Sequence, residues 1–291
     1  MTEIKILDGA MGSELIRHGE ILPPHIWSAK INLTNPNLIY KIHNNYIEQG
    51  ADYITTNTFR STPRAFKKMG QDDDDAYNNA KQSLQSAIQM AKKAANQCTK
   101  ILGSIAPLED CYSPTLFPGV KKAKKEFKDI GLMLNKSGID IFLLETMNSI
   151  IETSTCLEAI KQFNIPIWVS FNLLNSTQIR SGESLEEAIA MTKNYAVSCL
   201  LLNCNPLNRT IKALTIIKEN WKRKWGLYPN LGIGEPSTDG VISHYHSNAE
   251  FSKVVDISIR MGASIIGSCC GSNPKHIGLI KKHININLLN N

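Results

Sequence analysis

The chain has no run of apolar residues approaching the ~20 needed to cross a bilayer, so no membrane span is expected. The opening stretch MTEIKILDGAMGSEL carries no charged leader followed by an apolar run, and a cytoplasmic protein without a secretion signal is the expectation. Aromatic residues are few, 7% of the 291 positions, and the basic excess is small, with 32 Lys and Arg against 26 Asp and Glu. The densest basic run, KKAKKEFK (Lys121 to Lys128), reads as the solvated face of a helix, and Asp72 to Asp75 as an acidic helix start. Neither has the basic and aromatic pattern of a nucleic-acid surface, so no nucleic-acid partner is expected. No G-x-G-x-x-G follows the first apolar segment, which removes the main support for a doubly wound nucleotide-binding sheet. No linker or composition break divides residues 1–291, so one domain is expected.

What is present is an alternation of short apolar segments with longer helical ones. IKILDG, DYITTN, KILGSIA, DIFLLE, IPIWVSF, SCLLLNC, WGLYPN and SIIGS read as eight strands. Between them lie amphipathic segments such as NLIYKIHNNYIEQG, with Leu38, Ile39, Ile42, Tyr46 and Ile47 on one stripe. SLEEAIAMTKNY opens with the Ser-x-x-Glu signature of a capped helix. Strands apolar on both faces and separated by helices indicate a parallel sheet, and eight such units match an α/β fold of the (β/α)8 TIM-barrel type.

In such barrels chemistry gathers at the C-terminal ends of the strands. Asp8, Asn57, Thr58, Glu145, Cys204, Cys269 and Cys270 all fall there. Seven cysteines in a reducing setting suggest a metal or catalysis more than disulfides. Three thiols from the sixth and eighth strand ends can hold one zinc and leave a fourth position open. Adjacent residues in a strand point to opposite faces, so Cys269 and Cys270 share a metal only if the chain turns there, which Gly267 and Gly271 permit. A vicinal redox pair is the strained alternative. Cys98, Cys156 and Cys199 read as small buried hydrophobes, and Cys111 in EDCYSP as exposed or part of a lid. His244 and His246 in SHYHS read as surface histidines and rank below the cysteines as ligands. A phosphate-binding lyase or isomerase would leave the paired thiols without a role.

LDGAMGSEL, IWSAKINLTNPNLIYKIHNNYIEQGADYITTNTF, GSIAPLEDCYSP, DIFLLETMNS, LNCNP and GASIIGSCCGSNPKHI occur in the order found in the zinc-dependent homocysteine S-methyltransferases. The resemblance covers nearly the whole chain. It implies a single barrel whose Zn2+ is held by Cys204, Cys269 and Cys270. It also implies that Asp8 and Glu145 hold the amino group of L-homocysteine, with the backbone near Gly9, Ala10, Asn57 and Thr58 taking its carboxylate. The implied reaction moves a methyl group from a sulfonium, S-methylmethionine or S-adenosylmethionine, to the homocysteine thiol, giving methionine. A selenocysteine or other thiol acceptor, or a non-catalytic zinc-binding barrel, are the other readings that keep the cysteines. A cationic donor calls for aromatic faces, for which Trp27, Phe59 and Tyr112 are the candidates. SFNLLNSTQIRSGES and LYPNLGIGEP depart from the family pattern, and the donor-side contacts are left unassigned.

Overall fold

The computed structural model describes residues 3–234 and 240–289. Eight strands form one sheet: β1 (Lys5–Ile6), β2 (Tyr53–Thr55), β3 (Lys100–Ile105), β4 (Ile141–Met147), β5 (Ile167–Phe171), β6 (Val197–Asn203), β7 (Lys224–Tyr228) and β8 (Ile265–Ile266). The order is β1-β8-β7-β6-β5-β4-β3-β2, and every pairing between strands is parallel. The two ends meet through a parallel bridge between Leu7 and Tyr53, with Asp8 N donating to Tyr53 O at 3.0 Å, so the sheet closes as a (β/α)8 barrel. Every strand is followed by at least one helix before the next begins.

The apolar runs are continuous because the strands are buried on both sides. Leu102, Ile141, Leu143, Trp168, Cys199, Leu201 and Ile265 fill the barrel interior. Their alternates Ile101, Phe142, Leu144, Val169, Leu200, Leu202 and Ile266 pack outward under the helices. The helices obey their sequence signals. Pro36–Glu48 buries Leu38, Ile39, Ile42 and Tyr46, and stops before Gly50, whose φ is +108°. Asp72 caps the helix Asp73–Ala94 by accepting from Asp75 N, and Ser184 with Glu187 forms a capping box on Leu185–Lys193. Helix Val120–Lys136 buries Ala123 and Phe127 and turns its lysines outward, as a solvated face should.

Three points differ from the sequence reading. β1 and β8 are only two residues long, because Asp8 and Gly267 already serve the mouth of the barrel. β4 continues through Glu145 to Met147, so this carboxylate lies within a strand and not at its end. A helix over Met11–Arg17, too short to show a periodic pattern, follows β1 directly. Among the described residues no helix is long and apolar enough to cross a membrane.

Candidate active site and metal centre

In sheet order β7 separates β6 from β8, so their following loops flank one strand. Cys204 Sγ lies 2.8 Å from Cys269 Sγ and 3.7 Å from Cys270 Sγ, and the last two are 3.9 Å apart. Among the described residues these three form the one cluster of metal-ligating side chains. Two tetrahedral Zn–S bonds of about 2.3 Å span an S···S edge of about 3.8 Å. Two of the three edges match that value, and the Cys204–Cys269 edge would open by about 1 Å to admit the ion. Three soft donors with the barrel mouth beside them fit zinc with one position left for a ligand.

The backbone does unusual things to bring the thiols together. Cys204 has φ +53°, and its carbonyl accepts from Asn172 Nδ2 at 3.0 Å. Cys269 N donates to Pro229 O at 2.8 Å and Leu231 N to Cys270 O at 2.9 Å, which fixes the turn against the loop after β7. Gly271, at φ +87°, makes the turn itself. Gly267 plays a different part from the one expected. Its φ is ordinary, but a Cβ there would stand 2.9 Å from Leu7 Cβ and 3.0 Å from Leu7 O. Gly271→Ala is expected to lower the melting temperature by the equivalent of about 1–2 kcal/mol and to weaken metal retention, measured by thermal denaturation and metal analysis.

The short helix Met11–Arg17 completes the turn, and nothing in the sequence reading pointed to it. Gly271 N donates to Ser13 Oγ at 2.8 Å, Ala10 N donates to Ser272 Oγ at 3.0 Å, and Arg17 donates to the carbonyls of Gly271 and Ser272. Glu14 steadies Arg17 at 2.6 Å. Within the trio, Cys204 and Cys269 hydrogen bond to Cys270, which holds the Cys270 thiol well below its usual range. Its hydrogen bonds with Cys269 and Cys270, and then burial, push Cys204 the other way.

Two carboxyl groups share the cavity with the cysteines. Asp8 accepts from Thr55 N at 2.8 Å and Thr55 Oγ1 at 3.1 Å. Burial pushes its pKa to about 8, against those hydrogen bonds. Glu145 accepts from Ser104 Oγ, and burial, with a smaller contribution from Cys270, raises it to about 7. Two desolvated acids whose hydrogen-bond partners are the neutral Thr55 and Ser104 are a site suited to an ammonium group.

The remaining predicted positions divide. Gly9, Ala10 and Asn57 line the same cavity of about 540 Å³ as Asp8, Glu145 and the three cysteines. Thr58 does not: its hydroxyl donates to Ser104 O at 2.7 Å and its N–H to Thr56 O at 2.8 Å. The Asn57 side chain is occupied with Ser28 and Asn32, donating to Ser28 O at 3.0 Å and to Asn32 Oδ1 at 2.8 Å. Trp27, Phe59 and Tyr112 all reach the cavity. Arg60 covers one face of Phe59 at 4.8 Å and Arg180 one face of Tyr112 at 5.0 Å. Cys156 and Cys199 are buried as expected. Cys111 is buried on the cavity wall, not exposed, and Cys98 is exposed, not buried, because its turn precedes β3 at the opposite end of the barrel. His244 is exposed, and the His246 ring bonds to Glu250 at 3.2 Å and does not join the cysteine cluster.

The model of the homocysteine S-methyltransferase family matches residues 5–284. The chain belongs to this family. It is therefore an enzyme of the methyltransferase class. The homocysteine S-methyltransferase 3 of Zea mays is 29% identical over 96% of this chain and 90% of its own length. The selenocysteine Se-methyltransferase of Brassica oleracea var. italica is 28% identical, over 96% and 88%. Among solved structures, the metallated homocysteine methyltransferase MmuM from Escherichia coli superposes with a TM-score of 0.82 at 25% identity, covering 96% of both chains. That MmuM structure is of a metallated form, and in the present chain the cluster Cys204–Cys269–Cys270 is the group of described residues that could hold a metal ion.

Proposed function

We propose that this single-domain barrel transfers a methyl group from a sulfonium donor, S-methylmethionine or S-adenosylmethionine, to the thiol of L-homocysteine. The observation that carries the reading is that three convergent thiols and the pair Asp8 and Glu145 open into one cavity. Cys204, Cys269 and Cys270 are the residues to hold zinc. When bound there, zinc supplies the Lewis acidity that turns an entering thiol into a thiolate near neutral pH.

The chain's own residues supply the alignment. Asp8 and Glu145 take the acceptor's ammonium group, so its sulfur is directed toward the cysteines. Gly9, Ala10 and Asn57 form the wall beside it. The acceptor sulfur attacks the methyl carbon as the bond from that carbon to the sulfonium breaks, and the donor departs as a neutral thioether. No side chain needs to move a proton to or from the methyl, so holding the reactants in line is the protein's main task. Trp27, on the cavity wall, is the aromatic face we assign to the sulfonium. Thiols that must stay reduced suit a cytoplasmic setting.

The test is methyl transfer by purified, reduced, zinc-replete protein, with homocysteine or selenocysteine as acceptor. S-methylmethionine, S-adenosylmethionine, betaine and methyltetrahydrofolate are offered in turn as donor. Methionine formed with either sulfonium supports the reading, and no product with any of the four refutes it. The pH dependence has a defined sign. The acceptor's ammonium binds the charged carboxylates, which burial holds protonated up to about 7 for Glu145 and about 8 for Asp8. The KM for homocysteine is therefore expected to fall as pH rises from 6 to 8, and to fall less steeply in Glu145→Gln.

A further inference from the structure

Glu145 faces the cavity because β4 is irregular. The pairing of β4 with β5 runs Leu144 to Val169 and then Met147 to Phe171, so β4 spends one extra residue there. That is a bulge, and its turning point is Thr146, a β-branched residue at φ +57°. The consequence is visible in the side chains. Glu145 and the next residue, Thr146, both line the cavity, while Met147 returns to the outer core.

A left-handed threonine persists only when its surroundings impose it. The imposing group is Asn203, the last residue of β6, fully buried and 57 positions away. Its Oδ1 accepts from Thr146 N at 2.9 Å, and its Nδ2 donates to Thr146 Oγ1 at 2.8 Å. Thr146 N–H can only donate, which settles which way round the amide lies, and Ser170 Oγ donates to the same Oδ1 at 2.6 Å. The backbone N–H and the hydroxyl of the strained residue thus both end on one side chain.

We propose that Asn203 is a positioning residue for the acceptor site, holding the Thr146 bulge and thereby setting the direction of the Glu145 carboxylate. The proposal rests on the reading of Glu145 as the ammonium partner of homocysteine. It does not extend to the metal, because Cys204 has its own support from Asn172.

The experiment compares wild type, Asn203→Ala and Asn203→Ala/Thr146→Gly in the zinc-loaded enzyme. Asn203→Ala is expected to raise the KM for homocysteine roughly tenfold, the equivalent of one lost buried hydrogen bond to a charged or strained group. The KM for the donor and the zinc content should stay within about twofold. Glycine takes φ +57° without strain, so the double variant should recover most of the acceptor KM and melt above Asn203→Ala. A generally damaged barrel would raise both KM values and would gain nothing from a change at Thr146. Equal KM increases for donor and acceptor, or a double variant no better than Asn203→Ala, overturn the proposal. The melting order judges the clamp without any substrate. A wild type that methylates no thiol therefore refutes the functional reading alone, while a double variant that melts no higher than Asn203→Ala refutes the clamp.

Discussion

Cys269→Ser is expected to leave the protein with less than about a tenth of its zinc and to lower kcat/KM by two to four orders of magnitude. Structural zinc sites are worth about 10–16 kcal/mol, so one of three protein ligands carries about 3–5 kcal/mol, and 1.4 kcal/mol is a factor of ten. Serine cannot replace the thiolate, since its hydroxyl stays protonated near neutral pH and is a harder donor. Cys270→Ser should behave alike, because its sulfur closes the 3.7 Å and 3.9 Å edges of the cluster. Cys98→Ser is the matched control, being exposed and away from the cavity, and should retain metal and turnover. Metal analysis and initial rates on the same preparations decide the matter. A Cys269→Ser protein that keeps its zinc would contradict the ligand assignment.

The second large effect concerns the acids. Asp8→Asn and Glu145→Gln each remove a carboxyl group from the desolvated pair to which we assign the acceptor's ammonium. Losing one partner of a buried, hydrogen-bonded charge pair costs about 2–5 kcal/mol, so kcat/KM for homocysteine should fall roughly 30-fold to several thousand-fold. Stability should move the opposite way. In the folded, substrate-free protein burial raises both carboxyl pKa values, to about 8 and about 7. The folded state therefore holds protons that the unfolded chain gives up near pH 4. This contribution is complete below pH 4 and is lost as pH rises through 7 and 8. The amide variants escape that loss, so at pH 8 they should melt no lower than wild type. A drop in both activity and melting temperature at pH 8 would show that Asp8 and Glu145 serve the fold and not the acceptor.

How far the sequence could be read follows from where each signal resides. The barrel was legible because its strands are continuous apolar runs and its helices carry local caps, both properties of neighbouring residues. The gathering of the cysteines was legible because Cys269 and Cys270 sit between glycines at a strand end, where apolar packing gives two thiols no reason to be. The parts that stayed hidden are tertiary. Arg17 and Ser13 brace the cysteine turn across more than 250 positions, from a helix of seven residues. Asn203 acts on Thr146 only once β4, β5 and β6 are adjacent in the sheet. Thr58 looked like a mouth residue by its place after β2, yet its hydroxyl is spent on Ser104. Strand-end position was a good guide to which segments face the cavity, and a poor guide to which side chains remain available in it.

X-ray absorption at the zinc edge, with and without homocysteine, puts the arrangement of ligands to its most direct test. Resting protein should give three sulfurs at about 2.3 Å and one lighter donor, and homocysteine should raise the count to four sulfurs. A spectrum with fewer than three protein sulfurs, or one unchanged by homocysteine, would contradict a three-thiolate site that receives the acceptor's own thiol.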